Sequence, residues 1–592
     1  MNDCHEHWML EKLILSLCPV NCFRFGIVLI FIHYSSQLLI IKRVKLNIEK
    51  QIHVLLIQLH GKLQFSSYEP LAIEVLAGYV ENHFPNCSIK MVIASSDESS
   101  IAELTLLFTE QDFDLIGMSV PHGTLHIAQD IFSLLAKSLA KKRLVSSLRP
   151  VVLAGGALPA SLPELFLSFY PTLIIAKGWG ESPLSQLILG LESGDLEYSK
   201  IPNIFFKKDN AIIKTQFSNI KIIPESPKLF TSEMRFGSIE ASRGCHYGVC
   251  TFCLRPTAIK NDWFRIPTET VIKSIIGLKN IGCKKFTFVD EDFIGNDLDG
   301  AIQIAEEISN VGGMQFSMSL RSDSIILQEN NTKTQENNKR YELFLKLKEA
   351  GLSRVFIGLE SLSNTQLKRY GKGVSSDAQI YAINYLKSLN VEVDLGFIIF
   401  DPLVTFEELE ENISKLESTS FWQNVGWMFQ EMHIYKNTAY EGILAKTGLM
   451  GKLDPNLLEY EWNYKNENIA QIAKYCRALA KPIEPVYRIV RTLDRSTLDT
   501  SRSSLLGYKY RLALQELNLK VLKFAVEKSR KVDYISMRSQ VSQIYNSSIN
   551  SLFTHLSLEC DLENPLQTRL MKEIQLYFDG NRNTDTASLG RR

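Results

Sequence analysis

Short apolar runs alternate twice with helix-length amphipathic segments along this chain, and this alternation constrains the fold more than any other feature. The first series runs from HVLLIQL at 53–59 to TLIIAKG at 172–178, and the second from SIEAS at 238–242 to VGWMFQEMHIY at 425–435. Strands of four to eight residues that alternate with helices are typical of parallel α/β units. The sequence therefore predicts an α/β protein with two such domains in tandem.

These series set the predicted domain boundaries. The first predicts a doubly wound, Rossmann-like domain at 51–198, and the second, with six strands, predicts a partial (β/α)6 barrel at 237–448. The Pro-interrupted segment 199–236 indicates a linker. After it the barrel contains one polar tract, Gln328–Lys339, which we expect to be a flexible surface insertion. Strand signals fade after the barrel, and amphipathic patterns predict a helical C-terminal domain at 449–592.

The first 50 residues fit neither series. The stretch Phe23–Ile41 is apolar but is interrupted by polar residues such as Arg24 and Gln37, whereas a membrane-spanning helix needs about 20 mostly apolar residues. It also lacks the basic start and small-residue cleavage site of a signal peptide. We interpret 1–50 as a leader that is disordered or, with a misassigned start codon, untranslated, and we do not expect a membrane anchor.

Composition narrows the function classes. Lys plus Arg equals Asp plus Glu at 65 each among 592 residues, so no global positive field attracts nucleic acid, and we expect no nucleic-acid partner. Hydrophobic residues make up 45% and charged residues 22%, as in ordinary globular enzymes. The ten cysteines are scattered apart from one group, which favours reduced thiols and a cytoplasmic location over a disulfide framework.

That one group of cysteines is the chemically informative segment. In EASRGCHYGVCTFCLRP, a predicted strand leads into a loop with Cys245, Cys250 and Cys253. Three thiolates on one loop can ligate three irons of a cubane and leave the fourth iron open for a non-protein ligand. A zinc site, with His246 as a fourth ligand, and three unrelated thiols are the alternatives.

The loop resembles the radical S-adenosylmethionine (SAM) superfamily, whose usual spacing is C-x3-C-x2-C with an aromatic residue before the last cysteine, here Phe252. The first gap holds four residues in this chain, one more than usual. The resemblance spans about residues 51 to 448 and implies a [4Fe–4S] cluster on the three cysteines. It further implies SAM on the open iron and reductive cleavage of SAM to a 5′-deoxyadenosyl radical that abstracts hydrogen from a small-molecule or peptide substrate. An external one-electron reductant of the flavodoxin or ferredoxin type is implied as well.

The resemblance also assigns SAM contacts, because these lie at the carboxyl ends of the barrel strands in the superfamily. Phe252 belongs to this set. Asp290, Glu291 and Asp292 stand where relatives hold the SAM amino group. Ser319 and Arg321 take the place of contacts to the carboxylate or ribose, and Glu360 that of a fourth-strand contact. The alternatives are a solvated acidic turn for the acidic triplet and a barrel-internal salt bridge for Glu360.

The first domain resembles the B12-binding domain that precedes many radical SAM cores. The resemblance assigns cobalamin contacts to three loops: Ser119 and Thr124; Gly155 and Gly156; Gly178, Gly180 and Glu181. The D-x-H-x-x-G signature of a histidine cobalt ligand is absent, so we interpret His60 as a loop residue. A domain that has lost cobalamin and is only structural is the alternative.

The sequence thus leads to a cobalamin-dependent radical SAM enzyme, with methyl transfer from methylcobalamin to an unactivated carbon as the favoured reaction. The first alternative is oxidation, rearrangement or ring contraction by the same architecture. The second is a non-catalytic cobalamin or metal sensor.

Overall fold

The structure is a computed structural model of the chain. It describes residues 27–30, 42–45, 51–61, 70–142, 150–218, 221–229, 236–254, 263–327, 334–495, 501–529, 534–561 and 563–582. The predicted leader lies outside the described residues except for two strands, β1 (Ile27–Ile30) and β2 (Lys42–Lys45), which pair antiparallel. None of the helices that the structure describes has the length and apolar character needed to cross a bilayer.

The first α/β region is a seven-stranded sheet with the order β4-β3-β5-β6-β7-β8-β9. The strands are β3 (Ile52–Leu59), β4 (Cys87–Ala94), β5 (Leu115–Ser119), β6 (Val151–Gly155), β7 (Leu173–Ala176), β8 (Ile204–Lys208) and β9 (Ala211–Lys214). The helices are α1 (Leu71–His83), α2 (Glu98–Glu110), α3 (Leu125–Lys142), α4 (Ala157–Ser161), α5 (Pro163–Phe169) and α6 (Glu181–Ser193). The first five strands in this order run parallel, and β8 and β9 add an antiparallel hairpin at one edge.

This sheet is buried on both faces, as a doubly wound sheet must be. In β3, Leu55 and Ile57 belong to one apolar cluster, while Val54 and Leu56 belong to another. Successive side chains of a strand point to opposite faces, so a continuous apolar run indicates helices on both sides. The predicted linker 199–236 contains β8 and β9, so the sheet continues past residue 198.

The second region is a parallel sheet with the sequential order β10-β13-β14-β15-β16. Its strands are β10 (Phe236–Ile239), β13 (Lys285–Phe288), β14 (Gln315–Leu320), β15 (Leu352–Glu360) and β16 (Glu392–Phe397), and a short antiparallel pair, β11 (Ser242–Arg243) and β12 (Phe264–Arg265), follows β10. The helices are α7 (Thr268–Asn280), α8 (Leu298–Val311), α9 (Ser322–Ile325), α10 (Thr334–Glu349), α11 (Asn364–Arg369), α12 (Ser376–Ser388), α13 (Phe406–Thr419) and α14 (Ala439–Ala445).

The predicted sixth strand of this sheet joins it only by isolated parallel bridges, Leu395 with Val425 and Phe400 with Glu431. Sequential parallel strands with covering helices form the expected open, partial barrel. The prediction of a flexible insertion at Gln328–Lys339 is wrong for its second half, because 334–339 form the start of α10. Residues 328–333 lie outside the described residues. Arg340 of that helix is 7% exposed, so packing overrides the polar composition there.

The C-terminal region is helical and continues the barrel core. After a hairpin of β17 (Met450–Asp454) and β18 (Glu459–Trp462) come α15 (Glu467–Ala480), α16 (Glu484–Arg495), α17 (Ser501–Ser529), α18 (Tyr534–Glu559) and α19 (Pro565–Arg582). One apolar cluster runs from Ile239 in β10 to Tyr577 in α19. The predicted helical domain therefore shares a core with the barrel.

Candidate active site

The three cysteines of the predicted cluster loop lie directly after β11, at the carboxyl end of the first barrel strand. All three are free thiols and half-buried. Burial raises the pKa of the Cys245 thiol, while backbone hydrogen bonds from Gly248 and Tyr247 lower it. The Nη1 atom of Arg321 lies 3.6 Å from the sulfur of Cys250. A buried guanidinium thus lies within hydrogen-bonding distance of one of the three cysteine sulfurs.

The loop is fastened to the turn after α11. The backbone N–H of Thr251 donates to the carbonyl of Tyr370 at 2.8 Å, and its hydroxyl donates to the carbonyl of Arg369 at 3.1 Å. The hydroxyl of Tyr247 donates to the carbonyl of Gly371 at 2.7 Å. The segment between the cysteines is therefore held at both its backbone and its side chains.

The predicted acidic triplet follows β13, but its three residues have different hydrogen-bond partners. Asp290 is 3% exposed and accepts hydrogen bonds from the N–H of Ala241 and the hydroxyl of Ser242. Burial raises the pKa of Asp290 to about 7, and these hydrogen bonds lower it. The carboxylate is thus used to hold the strand that leads into the cysteine loop.

The other two acidic residues contact the loop itself. Asp292 is fully buried and pairs with Nδ1 of His246. Its Oδ1 also accepts from the N–H of Gly295 and the hydroxyl of Ser324, each at 3.2 Å. Glu291 is half-buried and accepts from the N–H of Gly244 at 3.2 Å. The solvated acidic turn considered as an alternative is therefore wrong for Asp290 and Asp292.

Arg321 lies at the centre of the site. It is 5% exposed, pairs through two nitrogens with the carboxylate of Asp323 at 2.9 and 2.8 Å, and donates to the carbonyl of Lys372 at 2.9 Å. Its guanidinium stacks 3.8 Å from the ring centroid of Tyr247. Ser319, two residues earlier, is half-buried on the strand face that alternates with the apolar core.

Glu360 is in an unusual conformation at the end of β15. Its φ is +62°, in the left-handed region that non-glycine residues rarely adopt, and the strand pairing shifts register there. Its carboxylate lies 3.6 Å from the ammonium of Lys372, which is 4% exposed. Burial raises the pKa of Glu360, and Lys372 opposes that shift. The barrel-internal salt bridge is therefore present, and it lies at the carboxyl end of β15.

Sequence reasoning missed Lys372 and Tyr247, although both lie inside segments that it examined. The only signal in the sequence was their position: Lys372 lies in the glycine-rich turn after α11, and Tyr247 lies in the loop between the cysteines. The predicted aromatic residue Phe252 packs edge-on against Tyr370, with ring centroids 5.7 Å apart. It lies in an apolar cluster with Met432 and Ile434 of the sixth-strand segment.

The predicted cobalamin residues gather at the carboxyl edge of the first sheet. Ser119 and Gly155 end β5 and β6, and Gly178 follows β7. Gly178 has φ of +88°, and a Cβ there would meet no atom within 4 Å. Gly156 has φ of +104°, but a Cβ there would approach the carbonyl of Val120 to 2.7 Å. The backbone at Gly178 is therefore open to a ligand, whereas Gly156 is required by the fold itself.

Two of the predicted cobalamin residues have protein partners instead. Thr124 is fully buried, and its hydroxyl donates to the carbonyl of Pro121 at 2.7 Å. Glu181 begins α6, after Gly180, and is 2% exposed. Its carboxylate forms an ion pair with Arg243 of β11 at 2.8 Å. Both side chains are thus held by protein partners, and their assignment to cobalamin stays a prediction.

Arg243 joins the two α/β regions. Besides Glu181 it pairs with Glu240 at 2.8 Å, and its guanidinium lies 4.4 Å from the ring centroid of Trp179. It is 4% exposed and stands two residues before Cys245. A second contact is made by the β17–β18 turn, where the carbonyl of Asn456 accepts from the N–H of Gly123 at 2.8 Å. The carboxyl edge of the first sheet therefore faces the cysteine loop.

The three free, half-buried thiols on one loop are the type of donor set that an iron–sulfur cluster uses. Among the described residues, no three His, Cys, Asp or Glu side chains form a group that could hold one metal ion. Thiolates that each bind a different iron of a cubane do not have to meet at one point. His246, the candidate fourth zinc ligand, is engaged by Asp292.

Comparisons with known proteins agree with this geometry. Residues 239–416 match the radical SAM superfamily. The chain is 26% identical over 510 residues to 4′-phospho-dehydrooxetanocin synthase of Priestia megaterium, which covers 74% of this chain and 67% of the relative. It is 24% identical over 361 residues to an uncharacterized methyltransferase of Pyrococcus horikoshii, which covers 58% of this chain and 72% of that protein.

Among solved structures, the chain is similar to the cobalamin-dependent SAM radical enzyme OxsB with aqua-cobalamin bound. The TM-score is 0.78 at 21% identity, and the match covers 90% of this chain and 84% of that one. Residues 239–416 therefore form a radical SAM domain, and the chain as a whole has the fold of this cobalamin-dependent SAM radical enzyme.

Proposed function

We propose that this chain is a cobalamin-dependent radical SAM enzyme that abstracts hydrogen from a small organic substrate. The observation that carries the proposal is the half-buried three-cysteine loop at the carboxyl end of β10, facing the carboxyl edge of the first sheet. In this proposal Cys245, Cys250 and Cys253 hold a [4Fe–4S] cluster, which supplies the electron that cleaves SAM.

The surrounding residues orient SAM and shield the cluster. Arg321 keeps positive charge 3.6 Å from the Cys250 sulfur, and Tyr247 covers the guanidinium. Ser319, Glu291 and the Glu360–Lys372 pair lie at the carboxyl ends of neighbouring strands, where hydroxyl, carboxylate and ammonium groups can bind the amino, carboxylate and ribose groups of SAM. Asp290 and Asp292 serve as anchors of the loop, since their oxygens already accept hydrogen bonds from protein.

We assign cobalamin to the space beside the carboxyl edge of the first sheet. Ser119, Gly155 and the open backbone of Gly178 line that edge, and Trp179 closes it against Arg243. The similarity to OxsB, whose structure contains aqua-cobalamin, supports this assignment. In this arrangement the ligand lies between the first sheet and the cysteine loop.

Methyl transfer to an unactivated carbon is the reaction that we favour from the sequence, and the similarity to an uncharacterized methyltransferase supports it. Rearrangement or ring contraction is the second candidate. Similarity to a synthase over 74% of the chain, a larger share than for the methyltransferase, favours this second candidate. Both need an external one-electron reductant and a small-molecule substrate.

The test is anaerobic reconstitution with iron and sulfide, followed by dithionite, SAM and hydroxocobalamin. Mass spectrometry then measures 5′-deoxyadenosine and S-adenosylhomocysteine. We expect deoxyadenosine from the wild type and from Cys87→Ala, a matched change of a half-buried thiol outside the loop, and none from Cys250→Ala. S-adenosylhomocysteine in addition would favour methyl transfer, and deoxyadenosine alone would favour rearrangement. A loaded cluster without deoxyadenosine would contradict the proposal and favour a sensor.

A further inference from the structure

Asp401 forms a buried hub of hydrogen bonds beyond β16. It is fully buried, and five donors converge on its carboxylate. The donors are Nε2 of Gln366 (2.9 Å), Nη2 of Arg369 (2.8 Å) and the hydroxyl of Tyr370 (2.9 Å) on Oδ2, and the hydroxyl of Tyr440 (3.0 Å) and the N–H of Leu403 (2.9 Å) on Oδ1. A buried carboxylate is tolerated only when its hydrogen-bonding capacity is filled in this way.

Three of these donors also hold the cysteine loop. Thr251, between Cys250 and Cys253, donates its N–H to the carbonyl of Tyr370 and its hydroxyl to the carbonyl of Arg369. The N–H of Tyr440 donates to the carbonyl of Thr251 at 2.7 Å. Each residue therefore has its side chain on Asp401 and its backbone on Thr251. The two groups of contacts are coupled because Asp401 holds the side chain of each residue while Thr251 holds its backbone.

The hub is rigid for electrostatic reasons. Arg369 also pairs with Glu408, at 2.9 and 2.8 Å, so the guanidinium is fixed from two sides. Burial, and then the charge of Asp401, raise the pKa values of the Tyr370 and Tyr440 hydroxyls. Both hydroxyls thus keep their protons and remain donors to the carboxylate.

We propose that Asp401 is a positioning residue for the iron–sulfur cluster. Through Arg369, Tyr370 and Tyr440 it fixes the backbone of Thr251, and so the separation of the Cys250 and Cys253 sulfurs. This inference rests on the proposed function, because it assumes that these cysteines hold the cluster.

The test uses full-length chains reconstituted anaerobically and compares Tyr370→Phe and Tyr440→Phe with the wild type. The matched control is Tyr510→Phe, which removes a buried tyrosine–carboxylate hydrogen bond (2.8 Å to Glu559) in the C-terminal helices. We expect both hub variants to shift the midpoint potential and the electron paramagnetic resonance spectrum of the reduced cluster. The control variant should match the wild type in both.

The isosteric variant Asp401→Asn tests the hub itself. An amide replaces one accepting oxygen by a donor, so at least one charged hydrogen bond is lost, and we expect iron retention to fall about tenfold. If Tyr370→Phe and Tyr440→Phe give the wild-type spectrum and potential on a loaded cluster, the hub proposal is overturned while the proposed function stands. If the wild type itself assembles no cluster, the proposed function fails, and the hub proposal fails with it.

Discussion

At the scale of single residues, the carboxylates of the site divide into anchors and candidate ligand contacts. Asp290 and Asp292 hold β10, β11 and the cysteine loop in place, while Glu360 lies half-buried at the barrel edge, with a left-handed backbone. Sequence position alone gave all of them the same role. Burial and hydrogen-bond partners separate the two groups, because an oxygen that already accepts from protein has little capacity left for a ligand.

Asp290 predicts a pH dependence of stability. Its pKa in the folded chain is raised to about 7 by burial, above the value of an unfolded aspartate. The folded state therefore binds more protons between the two values, and the stability that Asp290 contributes below the unfolded pKa is lost as pH rises toward 7. In the wild type this loss of stability amounts to at most about 1.4 kcal/mol per pH unit. We expect Asp290→Asn to lack it, because an amide does not titrate in this range.

The measurement is urea unfolding of the metal-free chain at pH 5 and pH 7.5. Asp299→Asn, a change on an exposed carboxylate, serves as the control. Equal losses of stability in the wild type and in Asp290→Asn would contradict the prediction.

We predict that loss of the Glu360–Lys372 pair weakens SAM binding. Replacement of Lys372 by Met removes a buried ammonium at the barrel edge, and we expect SAM affinity to fall about tenfold, as when a charged hydrogen bond is lost. Cluster content should stay at the wild-type level. The measurement is a SAM titration of the reconstituted chain followed by electron paramagnetic resonance.

A purely structural pair would behave differently. The double variant Glu360→Gln/Lys372→Met relieves the uncompensated buried charge, so recovered SAM affinity in that variant would argue for a structural role. Lys523→Met is the control, because Lys523 forms an exposed ion pair with Glu417 of α13, away from this site.

At the scale of elements, the β17–β18 hairpin connects the C-terminal region to the first sheet. Leu458, at the hairpin turn, is fully buried in the apolar cluster of the first domain, with φ of +56°. The neighbouring Asn456 accepts from the N–H groups of Gly123 and Leu125. A two-stranded hairpin is marginally stable by itself, so this docking holds it.

We expect Asn456→Ala to loosen this contact without unfolding the chain. The N–H of Leu125 loses its side-chain acceptor, so hydrogen exchange should rise in peptides that cover 117–125. Hydrogen-exchange mass spectrometry measures the effect, with the exposed Asn463→Ala as control. Unchanged exchange in 117–125 would show that the hairpin does not support the loop.

At the scale of the whole molecule, Arg243 couples the two α/β regions. It is nearly fully buried between Glu181 of the first region and Glu240 of the second. Replacement of this residue leaves two carboxylates without their partner, and removing one member of a buried ion pair typically costs about 3–5 kcal/mol. The junction precedes Cys245 by two residues, so its loss should reach the cluster loop.

We therefore expect Arg243→Met to lower the free energy of unfolding by about 3 kcal/mol and to raise hydrogen exchange both at 178–181 and at 240–245. Unfolding in urea and hydrogen-exchange mass spectrometry provide the two readouts. The variant Glu181→Gln/Arg243→Met should recover part of the stability. If hydrogen exchange of Arg243→Met stayed at the wild-type level in either segment, that result would contradict the coupling.

Sequence determined the architecture and the cysteines because both are local. Short apolar runs separated by helix-length amphipathic segments predict strands from local sequence alone, and three thiols within nine residues lie in one short segment. The doubly wound sheet, the sequential parallel sheet and the helical C-terminal region follow from such patterns.

Tertiary structure decided the roles of the side chains, because these depend on partners far apart in sequence. The sequence does not show that Glu181 pairs with Arg243. It also does not show that Arg369, Tyr370 and Tyr440 donate hydrogen bonds to Asp401. The polar segment 334–339 became helical because α10 buries its other side against the barrel. Composition and spacing predict which strands, helices and loops a chain can form. Burial and long-range hydrogen bonds determine which side chains remain able to bind a ligand.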